Sequence, residues 1–237
     1  MSLVRSNWSS IVSYAIKPNM FFVIMIKVYR RFFDVKTTIS QEQYIKWLDS
    51  KGVTFWEWSN SLSSELSEEA LGFADQLYSR AKIDLANNPY DMGGGGLVHV
   101  LYFITRYYKP QIIVETGVAS GFSSESFLQA MKANNNGAHL YSSDFPYFRF
   151  PNSEEYIGKL VSDEMKDDWS LYLNGDEKNL PNIIESLSSR KINFFHYDSD
   201  KSYSGRKKAF TIVEKHLSPN AVVMFDDINN TPHFYDF

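Results

Sequence analysis

The spacing of apolar residues divides the chain into two parts near residue 88. In the first part, apolar side chains recur at three- and four-residue intervals after Ser67, which is the spacing of one face of a helix. Further upstream, Ser40 and Gln43 form a capping-box pattern that begins another helix. The sequence therefore predicts a helical N-terminal extension over residues 1–88.

Beyond this point, short runs of β-branched and aromatic residues alternate with helical stretches. Such runs are typical of strands that are buried on both faces of a parallel sheet. We expect five strands, in QIIVE, HLYSSD, WSLYLNGD, INFFHYDSD and AVVMFDD, with SPN forming a turn before the last one. The alternation predicts an α/β fold with a doubly wound, mostly parallel sheet over residues 89–237.

The composition limits the partners of this chain. Its 237 residues carry a formal net charge of −4, which disfavours binding to a polyanion such as nucleic acid. The absence of cysteine excludes disulfides, thiolate zinc sites and a cysteine nucleophile, and it suits a cytoplasmic protein. We therefore expect a small-molecule ligand rather than a nucleic acid.

The most apolar segment near the N-terminus is Met20–Ile26, which is too short to cross a bilayer. We therefore expect no stable membrane insertion. Lys27, Arg30 and Arg31 follow it and leave a membrane-surface element open, although a segment docked on the following domain is the simpler interpretation. In either case the N-terminal helices are candidates to cover an active site or to form a homodimer contact.

Acidic residues stand at the end of every predicted strand. In open α/β sheets, ligands bind outside the carboxyl ends of the strands, near the point where the strand order reverses. One acid at such a position is usually a helix cap or a turn former, but five strand ends in succession point to a ligand. The acids are Glu115, Asp144, Asp176, Asp198 with Asp200, and Asp226 with Asp227.

The turn after the first strand reads ETGVASG, and it does not suit phosphate. It has neither the glycine spacing of a dinucleotide-binding turn nor the lysine of a phosphate-binding loop. Glu115 would also repel a phosphate at close range. An acid here suits a ligand that is cationic or rich in hydroxyls, and S-adenosylmethionine meets both conditions with its sulfonium, its amino group and its ribose.

The segment VETGVASGFSS resembles the first motif of class I S-adenosylmethionine-dependent methyltransferases, which have a Rossmann-like fold. YDSDKSYSG and VVMFDDI are similar to later motifs of the small-molecule O-methyltransferases of the catechol and caffeoyl-CoA types, and of a bacterial group with macrocin-type and cephalosporin-hydroxylase-like members. The resemblance covers roughly Asn88 to Asn230. It implies that the cofactor is bound by Glu115, Gly117, Ser120, Gly121, Ser123, Asp144, Asp176 and Gly94.

The same resemblance implies a divalent cation, Mg²⁺ or another, held by Asp198, Asp226 and Asp227. Three clustered carboxylates repel one another unless a proton or cation intervenes, and hard oxygen ligands fit Mg²⁺. Lys201 matches the lysine that takes the proton of the attacking hydroxyl, so Lys201 and Asp198 are the predicted catalytic residues. The simpler alternatives are that Asp227 caps a turn and that Lys201 is a surface lysine.

The leading hypothesis is a metal-assisted O-methyltransferase that acts on a small hydroxylated molecule. A non-catalytic S-adenosylmethionine-binding domain is the alternative, because only INNTPHFYDF follows the fifth strand where the family usually continues into an antiparallel pair. A nicotinamide-dependent oxidoreductase is a weaker third hypothesis. The four glycines at 93–96 either border the cofactor or form a flexible linker, and His196 is expected to be a packed core residue.

Overall fold

The computed structural model describes residues 12, 14–16, 18–34, 39–148 and 150–236. Within these residues, five strands form one parallel sheet in the order β3-β2-β1-β4-β5. The predicted fold class, an α/β structure with a doubly wound sheet, is therefore confirmed. The strands are β1 (Ile112–Thr116), β2 (His139–Ser143), β3 (Trp169–Tyr172), β4 (Ile192–Tyr197) and β5 (Leu217–Phe225).

Helices precede the sheet and connect most of its strands. Among the helices described from Pro18 onwards, four lie before the segment at 85–97, one leads into β1, and three connect the strands before a short C-terminal turn of helix. They are α1 (Pro18–Phe33), α2 (Gln41–Lys51), α3 (Phe55–Leu62), α4 (Ser64–Asp84), α5 (Val98–Tyr108), α6 (Phe122–Asn134), α7 (Asp176–Ser186), α8 (Tyr203–Val213) and α9 (His233–Asp236).

The two faces of the sheet are buried by different helices, as the apolar strands require. On one face, Ile113 and Phe194 pack against Phe127 of α6 and against α5. On the other face, Val114 and Phe195 pack with side chains of α7 and α8. β1 lies at the centre, with β2 on one side and β4 on the other. The strand order reverses there, so the carboxyl ends of β1 and β4 form the crevice where ligands bind in such sheets.

Some element boundaries differ from the sequence prediction. SPN is not a turn, because β5 begins at Leu217 and includes it. β5 is an edge strand with a register irregularity against β4, and Pro219 is tolerated there because an edge strand leaves its N–H side unpaired. Ser67 does not begin a helix; α4 starts at Ser64, and the buried Ser67 hydroxyl donates to the Ser63 carbonyl.

The N-terminal helices pack on the sheet domain. The predicted capping box of Ser40 and Gln43 is present at α2. α3 lies between two predicted helices and was missed, although Thr54 and Glu57 form a second capping box at its start. Ala70 of α4 belongs to the same core as the sheet, and the domain boundary at residue 88 stays a prediction.

α1 docks on the carboxyl edge of the sheet through its basic and apolar side chains. Lys27 lies 5.1 Å from the ring centroid of Phe145, and Arg30 pairs with two acids of the sheet domain. These contacts favour the docked segment over a membrane-surface element; the Arg31 side chain lies outside the described part. Among the described helices, none is both long enough and apolar enough to cross a membrane.

Candidate functional site

The turn between β1 and α6 is tightly packed against the end of β4. Gly117 has φ +83°, and a Cβ placed on it would lie 2.2 Å from the carbonyl oxygen of Asp198. Gly121 has φ +96°, and a Cβ there would lie 2.9 Å from the Cα of Gly158. Only glycine fits both positions without moving the neighbouring backbone. The two glycines therefore hold the turn close to the neighbouring loops.

Glu115 lies beneath this turn rather than at its surface. The hydroxyls of Ser124 and Ser142 both donate to its Oε1, the second at 2.6 Å, while its Oε2 has no hydrogen-bond partner among the described residues. Burial raises the pKa of Glu115 to about 7. The predicted cofactor contact of Glu115 remains a prediction, and the contacts that the structure places on it are internal.

Asp144 fixes the turn from the end of β2. Its Oδ2 accepts hydrogen bonds from the backbone N–H groups of Val118 and Ala119, at 3.0 and 2.8 Å. Its Oδ1 accepts from the N–H of Phe145 at 2.6 Å. Burial raises the pKa of Asp144, and the three N–H donors oppose that rise. The side chain is thus largely occupied in holding the backbone of the turn.

Asp176 is the first residue of α7 and not the last residue of β3. The helix starts directly after Gly175, whose φ is +82°, so the predicted strand WSLYLNGD ends before Asp176. Ser143 donates to Oδ1 of Asp176 at 2.7 Å, and the hydroxyl of Ser199 contacts Oδ2. Burial raises the pKa of Asp176, and both hydroxyls lower it. Asp176 therefore ties α7 to the ends of β2 and β4.

A first cavity lies between α1 and the carboxyl edge of the sheet, and we call it the α1 cavity. Its walls include Lys27, Asp144, Phe145 and Asp176. Arg30 closes one side, because its guanidinium donates to Glu177 at 2.5 Å and to Asp200 at 3.0 Å. The cavity thus combines one aromatic ring with acids and bases from both the helix and the sheet.

A second cavity, which we call the glycine cavity, lies on the other side of the turn. Its walls come from the segment before α5, from the turn itself and from the ends of β4 and β5. Asp144 connects the two cavities, since it lines the first and binds the N–H groups of two residues that line the second. The glycine cavity is lined by Gly94, Gly95, Gly96, Leu101, Gly117, Val118, Ala119, Phe122, Ser123, His196, Asp198 and Asp226.

Lys201 lies between two of the predicted metal ligands. Its Nζ contacts Oδ1 of Asp198 and lies 3.0 Å from Oδ2 of Asp227. Burial raises the pKa of Asp198 to about 6; Lys201 opposes this rise, while Asp226 and Asp227 add to it. Among the described residues, no three acidic or histidine side chains are arranged to hold a metal ion.

The structure therefore distributes the predicted residues over several places. Asp144 and Asp176 line the α1 cavity, while Gly94, Gly117 and Ser123 line the glycine cavity with Asp198 and Asp226. The others lie within or beneath the turn, or beside the glycine cavity: these are Glu115, Ser120, Gly121, Lys201 and Asp227.

Sequence reasoning missed His196 as a member of this site. It interrupts the apolar strand INFFHY, and its side chain is only 1% exposed. Neither ring nitrogen has a hydrogen-bond partner among the described residues. Burial lowers the pKa of His196 to about 3, so the ring is neutral. A polar residue within a buried strand was the only available signal.

Comparisons with known proteins give one family match and a likeness of fold. The family model of a methyltransferase domain matches residues 114–228, which run from β1 to the residues after β5. Among curated proteins, no sequence relative was found.

Two solved structures are similar to this chain. One is TomG from Streptomyces achromogenes, an O-methyltransferase involved in tomaymycin synthesis, in complex with SAM. Its sequence is 17% identical and its TM-score is 0.51, and the match covers 74% of this chain and 75% of the TomG chain. The other is an O-methyltransferase from Bacillus cereus in complex with SAH. Its sequence is 14% identical and its TM-score is 0.50, and the match covers 80% of this chain and 76% of the Bacillus cereus chain. At these identities, the likeness is one of fold.

Proposed function

We propose that this chain, whose residues 114–228 match the family model of a methyltransferase domain, transfers a methyl group from S-adenosylmethionine to a hydroxyl group of a small molecule. The observation that carries the proposal is the pair of cavities on either side of the glycine turn. One is lined by acids and an aromatic ring, and the other by glycines and polar side chains. Together they suit a ligand with a nucleoside at one end and an amino acid at the other.

In this proposal the adenosine half of the cofactor enters the α1 cavity. Asp144 and Asp176 lie at the ribose and adenine positions that the family motifs imply, and Phe145 supplies an apolar ring beside them. Lys27 and Arg30 reach the same cavity from α1. The amino-acid end then enters the glycine cavity, where Gly94 allows a close approach because nothing lies within 4 Å of the position of a Cβ there.

S-adenosylmethionine supplies an electrophilic methyl group whose bonding electron pair stays with the sulfur when the new carbon–oxygen bond forms. The chain supplies orientation and proton transfer. The acceptor hydroxyl would lie beside Asp198, and its proton would pass to the pair that Asp198 forms with Lys201. Asp198 lines the glycine cavity and Lys201 contacts its carboxylate, so the pair would lie beside both the acceptor and the methyl group of a cofactor bound there.

Assistance by a divalent cation stays a prediction. Asp198, Asp226 and Asp227 offer the hard oxygen donors that Mg²⁺ prefers, but Lys201 lies between two of these carboxylates and the described side chains do not surround one point. This arrangement does not fit a cation, so the proposed reaction has no step through a metal. A cytoplasmic location, a homodimer and the absence of nucleic-acid binding also stay predictions.

Isothermal titration with S-adenosylmethionine and S-adenosylhomocysteine tests the proposal first. Formation of S-adenosylhomocysteine with a panel of small phenols and alcohols, with EDTA and with added Mg²⁺, then tests transfer. We expect Lys201→Met to bind the cofactor like the wild type but to lose transfer by about a hundredfold. Lys208→Met, an exposed lysine on α8, is the matched control and should leave transfer unchanged.

The outcomes separate the alternatives. Absence of binding to both nucleosides at millimolar concentration would overturn the proposal. Binding without transfer to any acceptor in the panel would favour the non-catalytic domain. If EDTA abolishes transfer and Mg²⁺ restores it, the reaction is metal-assisted. In that case Lys201 must move away from Asp198.

A further inference from the structure

His196 lies at the floor of the glycine cavity. Its register partners are Glu115 on β1 and Met224 on β5, so it lies on a strand that is paired on both sides. Its ring meets the ring of Phe127 at 5.7 Å between centroids, with an interplanar angle of 62°. Phe127 belongs to α6, so the imidazole points to the face that α5 and α6 cover.

The imidazole is buried and yet makes no hydrogen bond with the described residues. Its exposed fraction is 1%, and both Nδ1 and Nε2 are without a partner there. Buried polar groups in folded proteins are nearly always paired, and each exception needs an explanation. A phenylalanine would pack at this position without that cost. Because His196 also lines a cavity, a ligand is the most direct partner for its nitrogens.

The walls of the cavity indicate which ligand. α5 and α6 are 11 and 13 residues long, and both begin at this cavity, with Gly96 before the first and Ser123 in the first turn of the second. Helix N-termini favour a carboxylate through their free N–H groups and their dipoles. Asp198 and Asp226 lie on the wall formed by the ends of β4 and β5 and favour an ammonium group. The cavity therefore suits a zwitterionic amino-acid group.

We propose that His196 binds the amino-acid end of the cofactor by hydrogen bonds from the floor of the glycine cavity. An imidazole carries two ring nitrogens, which can donate and accept hydrogen bonds. It therefore matches a group that presents a carboxylate beside an ammonium. The inference rests on the proposed function, because it assumes that S-adenosylmethionine is the ligand, and it makes His196 a binding residue rather than a packed core residue.

The experiment compares two nucleosides that differ only at this end. S-adenosylhomocysteine carries the amino-acid group, whereas 5′-methylthioadenosine lacks it. Their affinities are measured by isothermal titration for the wild type, for His196→Phe and for His196→Gln. His139→Phe is the matched control, because His139 begins β2 at the opposite edge of the sheet and bonds to Ser170.

We expect His196→Phe to lose about tenfold or more in affinity for S-adenosylhomocysteine, because it removes hydrogen bonds to a charged group. Its affinity for 5′-methylthioadenosine should stay within about twofold of the wild type. His196→Gln keeps a donor and an acceptor and should recover part of the loss. The thermal midpoint of His196→Phe should not fall, since no protein hydrogen bond is removed.

Equal affinity of wild type and His196→Phe for S-adenosylhomocysteine would overturn the role of His196 and leave the proposed function standing. Should His196→Phe fail to fold, His196→Leu replaces it: loss of the preference for S-adenosylhomocysteine over 5′-methylthioadenosine supports the role of His196, and a wild-type preference overturns it. A wild type that binds neither nucleoside overturns both this inference and the proposed function.

Discussion

The acids at the two halves of the carboxyl edge are held in different ways. At the ends of β2 and β3, Asp144 and Asp176 accept hydrogen bonds from backbone N–H groups and from serine hydroxyls. At the ends of β4 and β5, Asp198 and Asp227 share the ammonium group of Lys201 and stay partly exposed.

Acids at equivalent strand ends therefore have different roles in this chain. The enclosed acids hold the turn and the start of α7 in place, so their first task is structural. Asp198 and Asp227 are held by a lysine at the surface, and exposed ion pairs of this kind contribute little stability. Their positions are therefore available for a ligand or a proton. Substitutions of an enclosed acid, of a partly exposed acid and of the glycine between them test this distinction.

The largest effect is expected where the two halves touch. Gly117→Ala places a Cβ 2.2 Å from the Asp198 carbonyl at a φ of +83°. We expect a loss of about 4 kcal/mol in the free energy of unfolding, measured by urea denaturation, from backbone strain and overpacking together. Gly72→Ala is the control, because Gly72 lies within α4 and a Cβ there would meet nothing within 4 Å. This substitution should raise the free energy of unfolding by about 1 kcal/mol. Equal stability of the two variants would contradict the close contact.

A matched pair of substitutions compares an enclosed acid with a partly exposed one. Asp144→Asn turns an acceptor of backbone N–H groups into a donor facing them and should cost about 3 kcal/mol. Asp227→Asn keeps a residue that tolerates its φ of 49° and removes one exposed ion pair, so it should cost less than about 1 kcal/mol. Urea denaturation measures both. Similar losses in the two variants would remove the distinction between enclosed and exposed acids.

The pH dependence of stability isolates the buried acid beneath the turn. Burial raises the pKa of Glu115 from 4.5 to about 7, so the folded chain keeps a proton that the unfolded chain releases. This contribution is fully present below pH 4.5 and is lost as the pH rises through 7. Relative to Glu115→Gln, the wild type should lose about 2 kcal/mol of unfolding free energy between about pH 5 and pH 8. Parallel curves for the two proteins would show that Glu115 does not titrate in this range.

The sequence predicted the fold because periodicity reports which faces are buried. Five strands and their parallel arrangement follow from apolar runs that alternate with helices, and the recognition of a class I methyltransferase is confirmed by the family match and the fold. Boundaries at Leu217 and Asp176 were wrong because an edge strand tolerates Pro219 and because a glycine with positive φ started α7 early.

The allocation of hydrogen bonds could not be predicted. Strand-end positions placed the acids on one edge, but their partners are residues distant in sequence, such as Ser142 beneath Glu115 and Ser199 beside Asp176. His196 was expected to be a core residue, and burial alone agrees with that expectation. Only the three-dimensional structure shows that its nitrogens are unpaired and that a cavity lies above it.

The position of α1 has a consequence for the rate of turnover. Arg30 pairs with Glu177 and with Asp200, and all three residues line the α1 cavity. If the proposed function holds, a nucleoside bound there would leave only after these contacts open. Release of S-adenosylhomocysteine would then compete with methyl transfer as the slowest step of the reaction. Because salt weakens partly exposed ion pairs, we expect moderate ionic strength to shorten the residence time of the product. Under saturating substrate, turnover would then rise with salt before it falls.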